Sequence, residues 1–209
     1  MKKRCDFIDV TDLIGSILSE DNSKRGFEDI VEVDAVANDR NIYLADIDSG
    51  VGSTVDSVIR FWNRQDGDTP VEDRKPIKIY IDSMGGSLVD AFSIIDSIKM
   101  SKTPVYTIVT GTAYSAGFFI AIAGDKRFAY PLASFMYHEG SASNGGTASQ
   151  FRNFADFYDT QLLQLKNHVL NCTNIDEAKY KEIKKDDIWM TATDALEIQA
   201  IDEIVGEFV

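Results

Sequence analysis

The sequence predicts an α/β fold, a parallel sheet with right-handed helical crossovers that gives way to one long helix. Strand-like runs such as Ile77-Lys78-Ile79-Tyr80-Ile81 alternate with runs whose apolar residues recur at helical spacing. Short junctions of small residues, Gly85-Gly86-Ser87 and Gly111-Thr112-Ala113-Tyr114-Ser115-Ala116-Gly117, join strand to helix. Phe151, Phe154, Tyr158, Leu162, Leu165 and Val169 then step by 3, 4, 4, 3 and 4 residues, the stripe of a single amphipathic helix. Strands alternating with helices over short turns pack as a layered parallel sheet.

The elements follow in order. Residues 1–26 read as a separate extension, with Leu13, Ile14, Ile17 and Leu18 on one short helical face that Asp21-Asn22-Ser23 ends. A strand is expected at 41–44 and a helix at about 53–63 burying Val55, Val58, Ile59 and Trp62. The polar stretch 64–75, with Gly67 and Pro70, reads as an exposed loop. A strand at 77–81 leads into a helix that turns Ala91, Ile94, Ile95 and Ile98 inward. A strand at 104–109, a helix at 114–123 and strands at 127–130 and 134–137 come next. The long helix spans about 146–170, flanked by Phe157, Leu163 and Leu170. A strand or turn at Trp189-Met190, a short helix at 195–198 and an apolar segment close the chain.

At 209 residues the chain is long enough for one domain, here 27–209, that buries about 70% of its unfolded surface. Its 44% hydrophobic and 26% charged residues are globular averages. Lys plus Arg number 21 against 34 Asp plus Glu, a net charge of −13 that repels phosphate backbones and anionic membranes. Neither nucleic acid nor membrane is therefore expected as a partner. Cys5 and Cys172 read as two free thiols of a reducing, cytoplasmic compartment. Asp6, Asp9 and Asp12 interrupt any signal sequence after Met-Lys-Lys-Arg. The 22 uncharged residues from Thr103 to Gly124 are broken by threonines and glycines, so they read as strand, turn and buried helix rather than a membrane span.

Sheets of this kind carry ligand sites at the carboxyl ends of their strands. The Gly85-Gly86-Ser87 junction lacks the spacing of a phosphate loop. Ala113-Tyr114-Ser115-Ala116-Gly117 is similar to a nucleophile elbow, although Ser115 could equally cap its helix. A serine nucleophile needs a base, and the chain has two histidines, His138 and His168. His168 falls inside the amphipathic helix and reads as a surface residue. His138 ends a strand, where a catalytic base belongs. The order Ser115, His138 and a later carboxylate remains, with Asp186 and Asp187 as acid candidates.

These residues resemble one family, the proteolytic subunit of the Clp protease. Its motif G-Q-A-A-S-M-G-A is similar to Gly111 through Phe118, and I-N-S-P-G-G-S to Ile81 through Ser87. Its M-I-H-Q-P resembles Met136-Tyr137-His138-Glu139-Gly140, and R-D-x-F-[LM]-[ST]-A resembles Lys185 through Ala192 with Asp187 on the acid. Asp39 to Leu44 resembles its first core strand.

The resemblance implies a crotonase-like spiral of βαβ units with a protruding handle helix. It further implies a Ser115–His138–Asp187 triad and an oxyanion hole of the Gly86 and Ala116 amides. Polypeptide substrates, stacked homo-oligomeric heptameric rings forming a tetradecamer, and an ATP-driven AAA+ unfoldase partner follow from it too, with no cofactor or metal. Met84, Ala116 and Gly140 depart from the motifs, and Asp186 stands where the family carries arginine. The rivals are a catalytically silent ring subunit, a viral capsid-maturation peptidase and an acyl-CoA hydratase or isomerase on the same fold.

Overall fold

A computed structural model describes residues 39–183 and 186–207. The expected extension at 1–26 with its apolar face and Cys5, its boundary, and Lys185 lie outside the described residues.

The sheet grows from four parallel strands. β1 (Asn41–Leu44) pairs with β2 (Ile77–Ser83), β2 with β3 (Val105–Tyr114), and β3 with β4 (Lys126–Ala129). Ile77, Ile79 and Ile81 have no exposed surface, as expected for a strand covered on its inner face. Between β1 and β2 runs α1 (Val51–Asp66), and between β2 and β3 runs α2 (Leu88–Met100), which buries Ala91, Ile94, Ile95 and Ile98 as the spacing predicts. The two helices pack closely where Gly52 lies against Asp90, whose carboxylate accepts from the Gly50 and Gly52 amides at 2.9 and 3.0 Å.

β3 forks the sheet. Its first half pairs with β4, while Thr112 to Tyr114 pair with β5 (Ser134–Tyr137). Antiparallel β6 (Ile188–Thr191) borders β5, and β7 (Glu203–Ile204) runs parallel to β4. Where the sequence predicts a turn from Gly111 and a helix from 114, the strand continues to Tyr114. The reason is lateral: Asp82 Oδ1 accepts from Thr112 N at 2.8 Å and from its hydroxyl at 2.9 Å, holding the small residues extended. The helix that follows, α3 (Ala116–Ala121), is short and buried at every residue.

α1 also outruns its expected end. It continues to Asp66, which is 8% exposed and binds Arg40 at 2.7 Å and the Thr103 hydroxyl at 2.5 Å, so part of the expected loop at 64–75 is a buried polar tie. Arg40 lies over the half-buried Trp62 ring, 4.4 Å from its centroid. The long helix α4 (Ala148–Cys172) starts from a Thr147–Gln150 capping box and buries only Leu165 and Val169. α5 (Glu177–Ile183), which the sequence reading leaves unassigned, precedes β6, and α6 (Ala192–Glu197) follows with its own cap at Thr191.

Candidate active site

Two strand-to-helix junctions face each other at the carboxyl end of the sheet. At the first, Gly85 and Gly86 have φ of 102° and 144°. A Cβ on Gly86 would meet Ile47 O at 2.3 Å, so only glycine lets this loop lie against the backbone after β1. Ile47 N donates to Gly85 O at 3.3 Å and Ser87 N to Ile47 O at 2.7 Å, which fixes the loop while Ser87 caps α2. Among the described residues no partner meets the Gly86 amide.

At the second junction Ser115 stands at φ 52° and ψ −119°, a conformation that side-chain-bearing residues rarely adopt. Its amide is held by Met136 O at 2.9 Å. Its side chain makes no helix-cap hydrogen bond, which removes the capping alternative. The hydroxyl oxygen instead lies 2.7 Å from His138 Nε2. The Ala116 amide, first in its helix, likewise has no partner among the described residues.

His138 is carried past the end of β5, and Asp187 lies just before β6 on the neighbouring strand. Asp187 Oδ1 is 3.5 Å from His138 Nδ1, with the two side chains 57% and 31% exposed. Asp186 makes no ion pair among the described residues, so of the two acid candidates Asp187 is the one beside the imidazole. With the Nδ1 proton directed to that carboxylate, Nε2 is free to accept the serine proton. Ser115, His138, Gly86 and Ala116 share one cavity of about 330 Å³. The far wall comes from α4, where the Phe154 and Tyr158 rings stack at 6.2 Å and the Tyr158 hydroxyl donates to Glu139 O at 3.2 Å. Sequence reasoning saw both residues only as part of an apolar stripe. Helical spacing alone does not tell a stripe that lies on the core from one that lines a cavity.

His168 corrects an expectation. It is half-buried rather than on the surface, and its Nε2–H donates to Phe119 O at 2.9 Å, leaving Nδ1 as acceptor 3.6 Å from Cys172 Sγ. Burial pushes its pKa down, partly opposed by the Phe119 carbonyl. Cys172 is a free thiol. Among the described residues no cluster of three or more His, Cys, Asp or Glu could hold a metal ion, and no helix is long and apolar enough to cross a membrane.

A strained serine beside a histidine and an acid, at the mouth of a parallel sheet, is the arrangement found in serine hydrolases. The family model of the Clp protease matches residues 24–208. The ATP-dependent Clp protease proteolytic subunit 1 of Protochlamydia amoebophila is 30% identical over 181 residues, 83% of this chain and 84% of that protein. The proteolytic subunit 2 of Thermobifida fusca is 38% identical over 141 residues, 64% of this chain and 68% of its own. The chain belongs to the Clp protease family.

Proposed function

We propose that the chain is a Clp-type serine endopeptidase whose triad is Ser115, His138 and Asp187. The observation that carries this reading is the 2.7 Å approach of Ser115 Oγ to His138 Nε2 from a backbone held at φ 52°. Ser115 Oγ attacks the scissile carbonyl carbon as His138 Nε2 takes its proton. Asp187 orients the imidazole and stabilises its positive charge. The Gly86 and Ala116 amides donate to the oxyanion, each typically worth about 3–4 kcal/mol of barrier. The tetrahedral adduct collapses as imidazolium gives its proton to the leaving amine. Water, deprotonated by the same imidazole, then releases the acyl group.

Every step uses groups of this chain, and residues 27–209 form the peptidase domain. The substrates are unfolded polypeptides or short peptides. They are cleaved inside a chamber of homo-oligomeric rings, in which α4 is the handle, and a separate ATP-driven unfoldase delivers the longer chains. The relatives' names, proteolytic subunits of an ATP-dependent protease, support this division of labour.

A fluorophosphonate probe read by intact mass tests the reading. One adduct per wild-type chain, absent from Ser115→Ala, is expected, together with peptide hydrolysis that falls about 10⁴–10⁶-fold in the variant. Hydrolysis by Ser115→Ala at more than about a tenth of the wild-type rate would overturn it.

A further inference from the structure

Tyr114 of β3, Met136 of β5 and Trp189 of β6 stand at one level of the sheet, Tyr114 paired with Met136 and Met136 with Trp189. Residues opposed in this way project from the same face. The Tyr114 and Trp189 rings meet over the intervening methionine, edge to face at 82° with centroids 5.1 Å apart. Met136 is consequently 8% exposed although Trp189 is 61% exposed. The Tyr114 hydroxyl is anchored to Ser134 Oγ at 2.8 Å.

The same register leads to the triad. The β5–β6 ladder runs from Ser134–Thr191 to Tyr137–Ile188, and the next opposed position sets His138 against Asp187. By the two-residue period of a strand, His138 and Asp187 share the face of Met136 and Trp189, one step further along. Among the described residues β6 is an edge strand, paired in the sheet with β5 alone. Asp187 precedes its first residue, where an edge strand frays most easily. Among the described residues no hydrogen bond reaches the Asp187 carboxylate, and its 3.5 Å approach to His138 is its only ion pair. Two residues from the acid, the Trp189 ring reaches over β5 to Tyr114 of β3, the strand that leads into Ser115.

We propose that Trp189 and Tyr114 are positioning residues, a ring-on-ring clamp that holds β6 across β5 onto β3 and so keeps Asp187 against His138. The proposal rests on the peptidase reading above. Neither ring touches the reacting atoms, and the clamp acts through the acid alone. An edge-to-face aromatic pair is favoured beyond the area it buries, and this one spans the intervening strand.

The experiment compares peptide hydrolysis by the full chain and its Trp189→Ala, Trp189→Phe and Tyr114→Leu variants, each also combined with Asp187→Asn. Trp189→Ala and Tyr114→Leu are each expected to lower kcat about 10- to 100-fold, with KM changed less than about twofold, because a misplaced catalytic group costs rate rather than binding. Trp189→Phe keeps a ring on Tyr114 and is expected to return kcat to within about threefold of wild type. In the Asp187→Asn background the alanine substitution is expected to change kcat by less than about twofold, since the clamp has no carboxylate left to place.

Trp189 is largely exposed, so its variants should fold, and unfolding midpoints within a few degrees of wild type confirm it. An active, probe-labelled wild type whose Trp189→Ala variant keeps its kcat, or loses it equally with and without the carboxylate, overturns the clamp alone. A wild type that takes no fluorophosphonate at Ser115 overturns the peptidase reading and the clamp with it.

Discussion

A Cβ added to Gly85 would stand 2.8 Å from Ser115 Cβ, so the two strand-to-helix junctions touch at their backbones. One residue of the pair is a glycine at φ 102°, the other a serine at φ 52°. Gly86, the next residue, lines the same cavity as Ser115. Gly85→Ala would both strain that φ, by about 1–2 kcal/mol, and push the serine away from His138. Hydrolysis by this variant is expected to fall at least about tenfold, from the displacement of the proposed nucleophile. A variant that folds and keeps its full rate would show that the close approach has no bearing on the chemistry.

Ser115 itself holds strain. Its φ of 52° and ψ of −119° suit glycine far better than a residue with a Cβ, at a typical penalty of about 1–3 kcal/mol. Ser115→Gly is therefore expected to raise stability by about 1 kcal/mol while abolishing hydrolysis. Ser115→Ala, which keeps the Cβ, should abolish hydrolysis without that gain. Urea unfolding of the three proteins checks this, and equal stability of the glycine and alanine variants would refute it.

Much of the candidate site is legible in the sequence because the proposed chemistry depends on local patterns. Small residues at the strand ends reveal both junctions, and the count of histidines reduces the base to His138 or His168. Asp187 could not be told from Asp186 by spacing, since only the antiparallel register of β6 on β5 places one of them opposite His138. The limits elsewhere have the same origin. Thr112 and Ala113 look like a turn until Asp82, about thirty residues earlier, holds them in a strand. Asp66 looks like a loop residue until Arg40 and Thr103 meet it, and His168 looks exposed until Phe119 O accepts its proton. Each correction is a long-range polar contact that overrides local propensity.

The Asp66 cluster carries a pH dependence of its own. The Arg40 hydrogen bonds hold its carboxyl below the usual range, opposed by burial and helped by Thr103 and by the nearby Arg40 and Arg74 charges. The pair is 7% and 12% exposed at its side chains, so Asp66→Asn leaves a mostly buried guanidinium without its counter-ion. The expected loss lies toward the lower end of about 3–5 kcal/mol, because Arg40 keeps the Lys75 carbonyl as a partner. A carboxyl whose folded pKa is depressed stabilises fully above its unfolded value of about 3.9, and that contribution disappears as pH falls through the folded value. Urea unfolding at pH 7 and pH 3 should therefore show a smaller gap between wild type and Asp66→Asn at pH 3. An unchanged gap would contradict the assignment.

The last prediction concerns α4. Its 25 residues extend about 37 Å, yet only Leu165 and Val169 are buried, both toward its carboxyl end. Phe151, Phe157 and Leu163 remain 55%, 59% and 53% exposed. Consecutive members of this trio are six residues apart, roughly 240° around a helix, so they point to three different sides. A helix that is apolar on several sides is normally surrounded, and nothing among the described residues surrounds this one. At roughly 25 cal/mol per Å² and about 100 Å² per side chain, covering each would contribute about 2.5 kcal/mol. Repeated around a symmetric ring, that is enough to hold copies of the chain together. The wild type is accordingly expected to sediment as a multi-subunit assembly at micromolar concentration. Phe157→Asp combined with Leu163→Asp should shift it to a smaller species without lowering the unfolding midpoint of the subunit, since neither side chain belongs to its core. A wild type that sediments as a monomer and still cleaves peptides at full rate would overturn the chamber reading, and a double variant that sediments like wild type would free α4 of any role in assembly.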